Sequence, residues 1–496
     1  MKNLPIIAVF SHEMATFAPI MITFTLCLLL LVAGYFVYGR LVERVFGPDG
    51  RPTPAITRAD GVDYMPLPTW KIFMIQFLNI AGVGPIFGAI MGAMFGTASY
   101  LWIVFGSIFA GAVHDYFAGM LSIRHDGASL PEIIGTYLGL TTKQVMRAFT
   151  VILMILVGIV FVASPAGLLA KLTPDSLGVT FWIVIIFVYY ILATLLPIDR
   201  IIGRVYPLFA IALIFMAVGI LVMLYIHHPA LPELWDGMSN THPKAATTPI
   251  FPMMFVTIAC GAISGFHATQ SPLMARCMTS EHHGRPVFYG AMITEGIVAL
   301  VWATVATYFF HREGMGVSDA SVVVFDISKN WLGPVGGILA ILGVVAAPIT
   351  SGDTAFRSAR LIVADFLRLD QKSVLRRLYI CIPMFVIAVA ILIYSLKDAD
   401  GFQIIWRYFA WTNQTLSVFT LWTITVFLAR RGRGKHFLIT CIPALFMTAV
   451  CSTYICIAPE GIGLPVALAG PIAGGVAVVA LVLFLVWYRR EQASRI

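Results

Sequence analysis

Thirteen stretches of this 496-residue chain are long and apolar enough to cross a bilayer, and no other feature narrows the available folds as far. A helical span needs roughly 20 mostly apolar residues. The stretches run at about 19–38, 72–95, 98–121, 147–170, 178–198, 205–227, 250–274, 287–310, 331–352, 378–396, 402–429, 436–457 and 465–487. Only 11% of the residues are charged, whereas a soluble domain carries about 25%. Such a chain cannot clothe a water-facing surface, which argues against a cytosolic enzyme, a nucleic-acid binder and a disordered chain. The apolar runs are unbroken and do not alternate, which argues against a membrane barrel. The expected fold class is an all-α integral membrane protein of about thirteen transmembrane helices.

Lys and Arg set the orientation, because cytoplasmic loops carry the excess. With the segment after the first span placed inside, inside segments hold 25 of the 32 Lys+Arg, outside segments hold six, and Arg407 lies within a span. This predicts an outside N-terminus and a cytoplasmic C-terminus. The longest polar connections are 39–70 and 228–249, so no large soluble domain is expected, and surface or re-entrant helices are predicted at 131–145 and 318–329. No cleavable signal peptide is evident, since His12 and Glu13 interrupt the first apolar stretch. The seven cysteines, Cys27, Cys260, Cys277, Cys381, Cys441, Cys451 and Cys456, form no Cys-x-x-Cys pair and read as small apolar filler.

Two spans are interrupted in their middles. The second reads LNIAGVGPIFGAIMGAMFG, with Gly82, Gly84 and Pro85 together at membrane depth. Proline removes a backbone donor and restricts the residue before it, and glycine lets the chain leave helical geometry. The seventh reads TIACGAISGFHATQSP, with Gly261, Gly265 and Pro272 beside the polar Ser264, His267, Thr269 and Gln270. The plainer reading of both is close packing through small residues. Their spacing favours more. The interruptions open quintets of spans that enter the membrane from opposite sides, the arrangement of transporters whose solute sits at the midplane between broken helices. The expected organisation is 1–71, an N-terminal span and cytoplasmic connection; 72–227, a first five-helix repeat; 228–249, an extracellular connection; 250–429, a second, inverted repeat; and 430–496, two accessory spans.

Span 9 ends in GVVAAPITSGDTAFRSAR. Thr350 and Ser351 follow Ala347 by three and four residues and share its helix face. A carbonyl and two hydroxyls are hard oxygen ligands suited to a small cation, with backbone near Ile80 and Val83 completing the set. This resembles the sodium site of the leucine-transporter-like fold. The plainer reading is that both hydroxyls bond back to their own helix.

Ionisable groups at membrane depth are costly and therefore functional candidates. His114, Asp115, Glu295 and Asp353 are the candidates for proton coupling, and His267 lies at similar depth. Asp353 has a plainer reading as the partner of Arg357 on an exposed turn. In span 11, RYFAWTNQT places Trp411, Asn413 and Gln414 about midway and Arg407 nearer the outside, where it can snorkel or attract an anion.

Together these segments closely resemble the carbon starvation protein A family of bacterial inner-membrane transporters. The matching stretches are RADGVDYMPLPTW (58–70), IAGVGPIFGAI (80–90), GSIFAGAVHDYFAGMLSIRHDGASLPEIIG (106–135), CGAISGFHATQSP (260–272), APITSGDTAFRSARLIVADF (347–366) and, more weakly, WTNQTL (411–416). The resemblance implies uptake of short peptides or pyruvate during carbon-limited growth, and a place among amino acid–polyamine–organocation transporters with a leucine-transporter-like five-plus-five fold. Longer members carry a His pair shortly before Gly-x-Gly-Pro; here the stretch is Ile75, Gln76, Phe77.

The resulting expectation is a secondary active importer of a small nutrient, driven by sodium or protons. Ala81, Gly82, Val83, Gly84, Ser264, His267, Gln270, Trp411 and Asn413 would bind substrate. Ile80, Val83, Ala347, Thr350 and Ser351 would bind the ion. The partners would be a small solute and the bilayer, not nucleic acid, with no cofactor or metal beyond the coupling ion. ATP-driven transport is disfavoured by the lack of a Gly-x4-Gly-Lys-Ser/Thr loop. A channel would call for pore-lining rings and oligomeric symmetry. A membrane enzyme would call for motifs such as His-Glu-x-x-His, missing from the spans.

Overall fold

The computed structural model describes residues 21–195, 202–311, 320–371, 373–397, 401–432 and 435–494. Among these residues all regular structure is helical. The main helices are α1 (Ile22–Phe36), α2 (Tyr38–Phe46), α3 (Thr69–Ile80), α4 (Ala89–Ala93), α5 (Ala98–Gly106), α6 (Ala112–Arg124), α7 (Leu130–Leu138), α8 (Leu140–Leu172) and α9 (Val179–Leu195). They continue with α10 (Ile202–His227), α11 (Ala259–Ala262), α12 (Gly265–Ala275), α13 (Gly290–His311), α14 (Ala320–Leu367), α15 (Val374–Lys397), α16 (Gly401–Arg430), α17 (Leu438–Ile457) and α18 (Val466–Ala493).

Among the described residues nine helices are long and apolar enough to cross a membrane, and Thr69–Ile80 with Gly84–Ala93, bent by 54°, makes a tenth span. The other three expected spans are also helical, each with a local reason for falling short. The apolar part of α9 is short, and residues 196–201 beyond it lie outside the described residues. The segment from Ile250 to Ala275 is cut into pieces. The helix α16 carries Asn413, Gln414 and many Thr and Trp residues. The 131–145 expectation resolves into two helices, because Gly139 takes φ +93° between α7 and α8. The 318–329 helix is the start of α14, which continues to Leu367 past a break at Gly333 (φ 67°); residues 318–319 lie outside the described set, as do residues 19–20 of the first span, His12 and Glu13.

Burial sorts the helices into a centre and a jacket. Every residue of α12 is buried, as is α6 from Ala112 to Ile123. By contrast Leu468, Val478 and Leu483 of α18 are 56%, 59% and 65% exposed, a face suited to acyl chains. Lipid offers no hydrophobic gain for helix association, so close backbone approach must hold the centre. Glycines supply it. A Cβ on Gly84 would sit 2.4 Å from the Cys260 side chain, one on Gly88 2.8 Å from the Thr257 carbonyl, and one on Gly111 2.2 Å from the Ala262 carbonyl. The two interrupted spans and the third span thus meet face to face.

Candidate functional site

In the second span α3 ends at Ile80, and Ala81 leaves helical geometry (φ −77°, ψ 45°) before a wide turn over Gly84–Gly88 leads into α4. The Ile80 carbonyl accepts from the Gly82 amide at 2.8 Å. In the seventh span Ile263 (φ −160°, ψ 141°) and Ser264 (φ −147°, ψ 126°) are fully extended between α11 and α12.

Extended backbone inside a membrane must find partners in the protein. The third span and α16 provide them. Ser107 donates to the Gly261 carbonyl at 3.0 Å. The Gln414 amide donates to the Ile263 carbonyl at 3.1 Å. Asn413 Oδ1 accepts from the Phe266 amide at 2.7 Å and from the Ser264 hydroxyl at 3.0 Å. Asn413 thus caps the start of α12 and stitches the break. Trp411, two residues away and so on the opposite side of α16, donates to the Cys451 carbonyl at 3.2 Å and packs edge-on to Phe149. The structure therefore joins Ser264 with Asn413 and directs Trp411 elsewhere. Ala81, Gly82, Val83, Gly84, Ser264, His267, Gln270 and Asn413 are all buried.

The cation candidates converge beside the first break. The Thr350 hydroxyl donates to the Ala346 and Ala347 carbonyls at 3.0 and 2.8 Å and the Ser351 hydroxyl to the Ala347 carbonyl at 2.9 Å, so both bond back to their own helix. Ser351 also reaches the Leu78 carbonyl of α3 at 3.1 Å, and a Cβ on Gly82 would lie 3.1 Å from Ser351 Oγ. The α3 carbonyl that faces the hydroxyls is thus Leu78's, while Ile80's bonds Gly82. Tyr190 braces the same place: its hydroxyl donates to the Phe161 carbonyl at 2.8 Å and lies 3.3 Å from the Pro348 carbonyl. Pro165, four residues after Phe161, has no N–H to fill that carbonyl.

The ionisable candidates separate into two groups. His114 Nδ1 lies 2.8 Å from Asp115 Oδ1, His267 Nδ1 lies 3.0 Å from Asp115 Oδ2, and His267 Nε2 faces Glu295 Oε2 at 3.5 Å. All four side chains are fully buried. They form a chain across α6, α12 and α13, with His267 at its hinge. Asp353 stands apart, at the cation candidates' own helix turn. Its Oδ2 accepts from Tyr189 at 2.9 Å and from Tyr206, whose hydroxyl also lies 3.0 Å from the Thr350 carbonyl. Asp353 is buried, so the exposed turn expected around it is not found.

Arg357 instead donates to Asp63 at 3.1 Å and to the Ala193 carbonyl at 2.6 Å, and Arg360 bonds both Asp63 oxygens at 3.3 and 3.2 Å. Burial pushes the Asp63 carboxyl up, but the charges of Arg360, Arg357 and Arg276 outweigh it and hold the group down at about 2. The loop carrying Asp63 is pinned by backbone bonds from Met65 and Leu67 to the Arg276 and Cys277 carbonyls. Sequence reading missed this cluster; its one signal was a pair of cations at i and i+3 on a helix end, which calls for an anion. It missed Tyr189, Tyr190 and Tyr206 as well, since a tyrosine within an apolar run carries no sign of which group its hydroxyl meets. Arg407 pairs with Glu460 at 3.1 Å in the connection after α17.

Comparison with known proteins agrees with this architecture. The family model described as carbon starvation protein CstA matches residues 18–181, 166–329 and 330–454. An uncharacterized membrane protein of Haemophilus influenzae is 46% identical over 59% of this chain and 92% of its own length. The peptide transporter CstA of Bacillus subtilis is 27% identical over 86% of this chain and 88% of its own. Among solved structures, the manganese transporter of Eremococcus coleocola aligns with a TM-score of 0.56 at 14% identity, covering 87% of this chain and 98% of that one. A Na+-coupled sialic acid symporter aligns at 0.51 and 15%, covering 91% and 96%. At such identities the likeness is one of fold, and the fold is that of these helical transporters. The family match spans nearly the whole chain, and on that ground the protein belongs to the carbon starvation protein CstA family.

Proposed function

We propose that this protein is a secondary active transporter that imports a small nutrient, a short peptide in the first place, with pyruvate or an amino acid as the alternatives, across a bacterial inner membrane during carbon limitation. The observation that carries the reading is the meeting of two interrupted spans, Gly84 against Cys260, with non-helical backbone on both. Amides at a half-helix start suit a carboxylate, and freed carbonyls suit an amine or cation. The substrate would lie between Ala81–Gly84 and Ser264–Gln270.

Two features support coupling to an ion gradient. The Ala347 carbonyl, Thr350 and Ser351, with Leu78 across from them, make an oxygen set of the kind that holds sodium. The chain His114–Asp115–His267–Glu295 offers a route for a proton: with Nδ1–H of His267 directed at Asp115, its Nε2 lone pair faces the Glu295 carboxyl. In this reading the quintets 72–227 and 250–429 are inverted copies placed as in amino acid–polyamine–organocation transporters, and the N-terminus is outside. The relatives named peptide transporters favour peptides.

The test is uptake into liposomes holding the purified chain, with sodium and proton gradients imposed separately. The proposal predicts accumulation of dialanine above equilibrium under at least one gradient. Uptake that stops at equilibrium under both would refute active transport and favour a channel.

A further inference from the structure

Next to the first break lies a group of uncharged polar side chains that neither the ion chemistry nor the ionisable chain uses. Gln76 and Asn79 sit on α3, Gln270 on α12, and Thr354 and Ser358 on α14. Gln76, Asn79 and Gln270 are fully buried. Both polar atoms of the Gln76 amide have no hydrogen-bond partner, nor do Asn79 Nδ2 and Gln270 Oε1. Orphaned amides are costly in an interior, so four such atoms on helices that pack against one another call for an explanation.

They lie on three helices, α3, α12 and α14, that pack against one another. A Cβ on Gly82 would lie 3.1 Å from Ser351, and Asn79 Oδ1 lies 3.5 Å from the Thr354 hydroxyl. Going back from Gly82 to Asn79 thus matches going forward from Ser351 to Thr354 on α14, and the two segments run antiparallel. One further turn brings Gln76, on the same face as Asn79, level with Arg357 and Ser358. Ser358 is 3.5 Å from Gln270 Nε2 and donates to the Thr269 carbonyl at 3.1 Å. Arg357, its neighbour in sequence, is engaged by Asp63 and the Ala193 carbonyl.

We infer that Gln76, Asn79 and Gln270 form a neutral subsite that reads an amide group of the transported solute. The orphaned atoms are two donors, Gln76 Nε2 and Asn79 Nδ2, and two acceptors, Gln76 Oε1 and Gln270 Oε1. A carboxylate would use the donors alone, and an ammonium the acceptors alone. A peptide unit, with one N–H and one C=O, uses both kinds. Sites built to hydrogen-bond a substrate group discriminate strongly against analogues that lack it. The subsite rests on the transport reading above and narrows it: Gln76 and Gln270 select peptides over keto acids, which carry no N–H.

The test is uptake of radiolabelled dialanine by the full chain in liposomes, comparing wild type with Gln76→Leu and Gln270→Leu. Each variant should raise KM for dialanine at least about tenfold, the loss of roughly one hydrogen bond, while the maximal rate stays within about twofold. The melting temperature of Gln76→Leu in detergent should hold or rise, because an orphaned amide has been replaced by an apolar group of similar size. Gln76→Glu, which keeps acceptors and loses the donor, should raise KM as well. Uptake by wild type with unchanged KM in both Leu variants would overturn the subsite alone and leave the amides as holders of water. Wild-type vesicles that take up no dialanine under any gradient would refute the peptide-transport reading and the subsite with it.

Discussion

Asp115 Oδ2 and His267 Nδ1 lie 3.0 Å apart, both fully buried, and this contact joins the third span to the half-helix that follows the second interruption. Any movement of α12 relative to α6 must stretch or break it. In the proposed proton route, a proton along the chain from His114 to Glu295 would be tied to the geometry of the break. Glu295→Gln, which cannot ionise, should abolish proton-driven accumulation by tenfold or more while solute exchange between equal concentrations on both sides continues. Measuring the two modes in the same vesicles checks this; equal loss of both would point to a structural role.

Sodium dependence should reside in two hydroxyls. Thr350→Ala or Ser351→Ala removes one hard ligand and should raise the sodium concentration for half-maximal uptake about tenfold, roughly one ligand's contribution. Ser351→Ala should have the larger effect, because Ser351 also reaches Leu78 across the helix pair. Unchanged sodium dependence in both variants would refute the assignment.

Asp63 should matter for stability more than for substrate affinity. Asp63→Asn removes the carboxylate that Arg357 and Arg360 share and should destabilise the protein by about 3–5 kcal/mol, as for other broken buried pairs. The pH dependence has a definite sign. The folded carboxyl is depressed from 3.8 to about 2, so its contribution is complete above about pH 4 and is lost as pH falls through about 2. Melting temperature against pH, wild type beside Asp63→Asn, reads this directly: the wild-type advantage should shrink below about pH 4.

Close approach at the glycines can be tested by adding one methyl. In Gly111→Ala the new Cβ would meet the Ala262 carbonyl at 2.2 Å, and backbone cannot move aside cheaply. Overpacking of this kind costs about 1–3 kcal/mol. Gly474→Ala, on the open face of α18 with nothing within 4 Å, should leave the melting temperature in detergent unchanged.

Asn413 and Trp411 should separate cleanly. Asn413→Ala orphans the Phe266 amide and leaves the Ser264 hydroxyl with the Cys260 thiol alone, at a cost of about 1–3 kcal/mol for the buried donor, and should also impair uptake by loosening the start of α12. Trp411→Phe keeps an aromatic ring, though a smaller one, and loses one bond to the Cys451 carbonyl; its uptake should stay within about twofold of wild type. A reversed order would place Trp411, and not Asn413, at the solute.

The sequence by itself determined the solvent this protein lives in and the places where its helices stop. Apolar runs of about 20 residues leave a backbone no alternative to helix in lipid, and Gly82, Gly84, Pro85, Gly261 and Gly265 mark interruptions because their effect on φ, ψ and backbone hydrogen bonding is local. The triad of Ala347, Thr350 and Ser351 was legible for the same reason, since residues three and four apart on a helix share a face. Tertiary structure alone decided who completes each site. That Leu78 supplies the facing carbonyl, that Asn413 caps α12 while Trp411 turns away, that His267 links Asp115 to Glu295, and that Asp63 holds two arginines from 294 and 297 residues away all depend on how separate helices are rotated and offset against one another. Local propensity carries no information about that offset. It is set by the glycine contacts and by the tendency of buried polar groups to find partners.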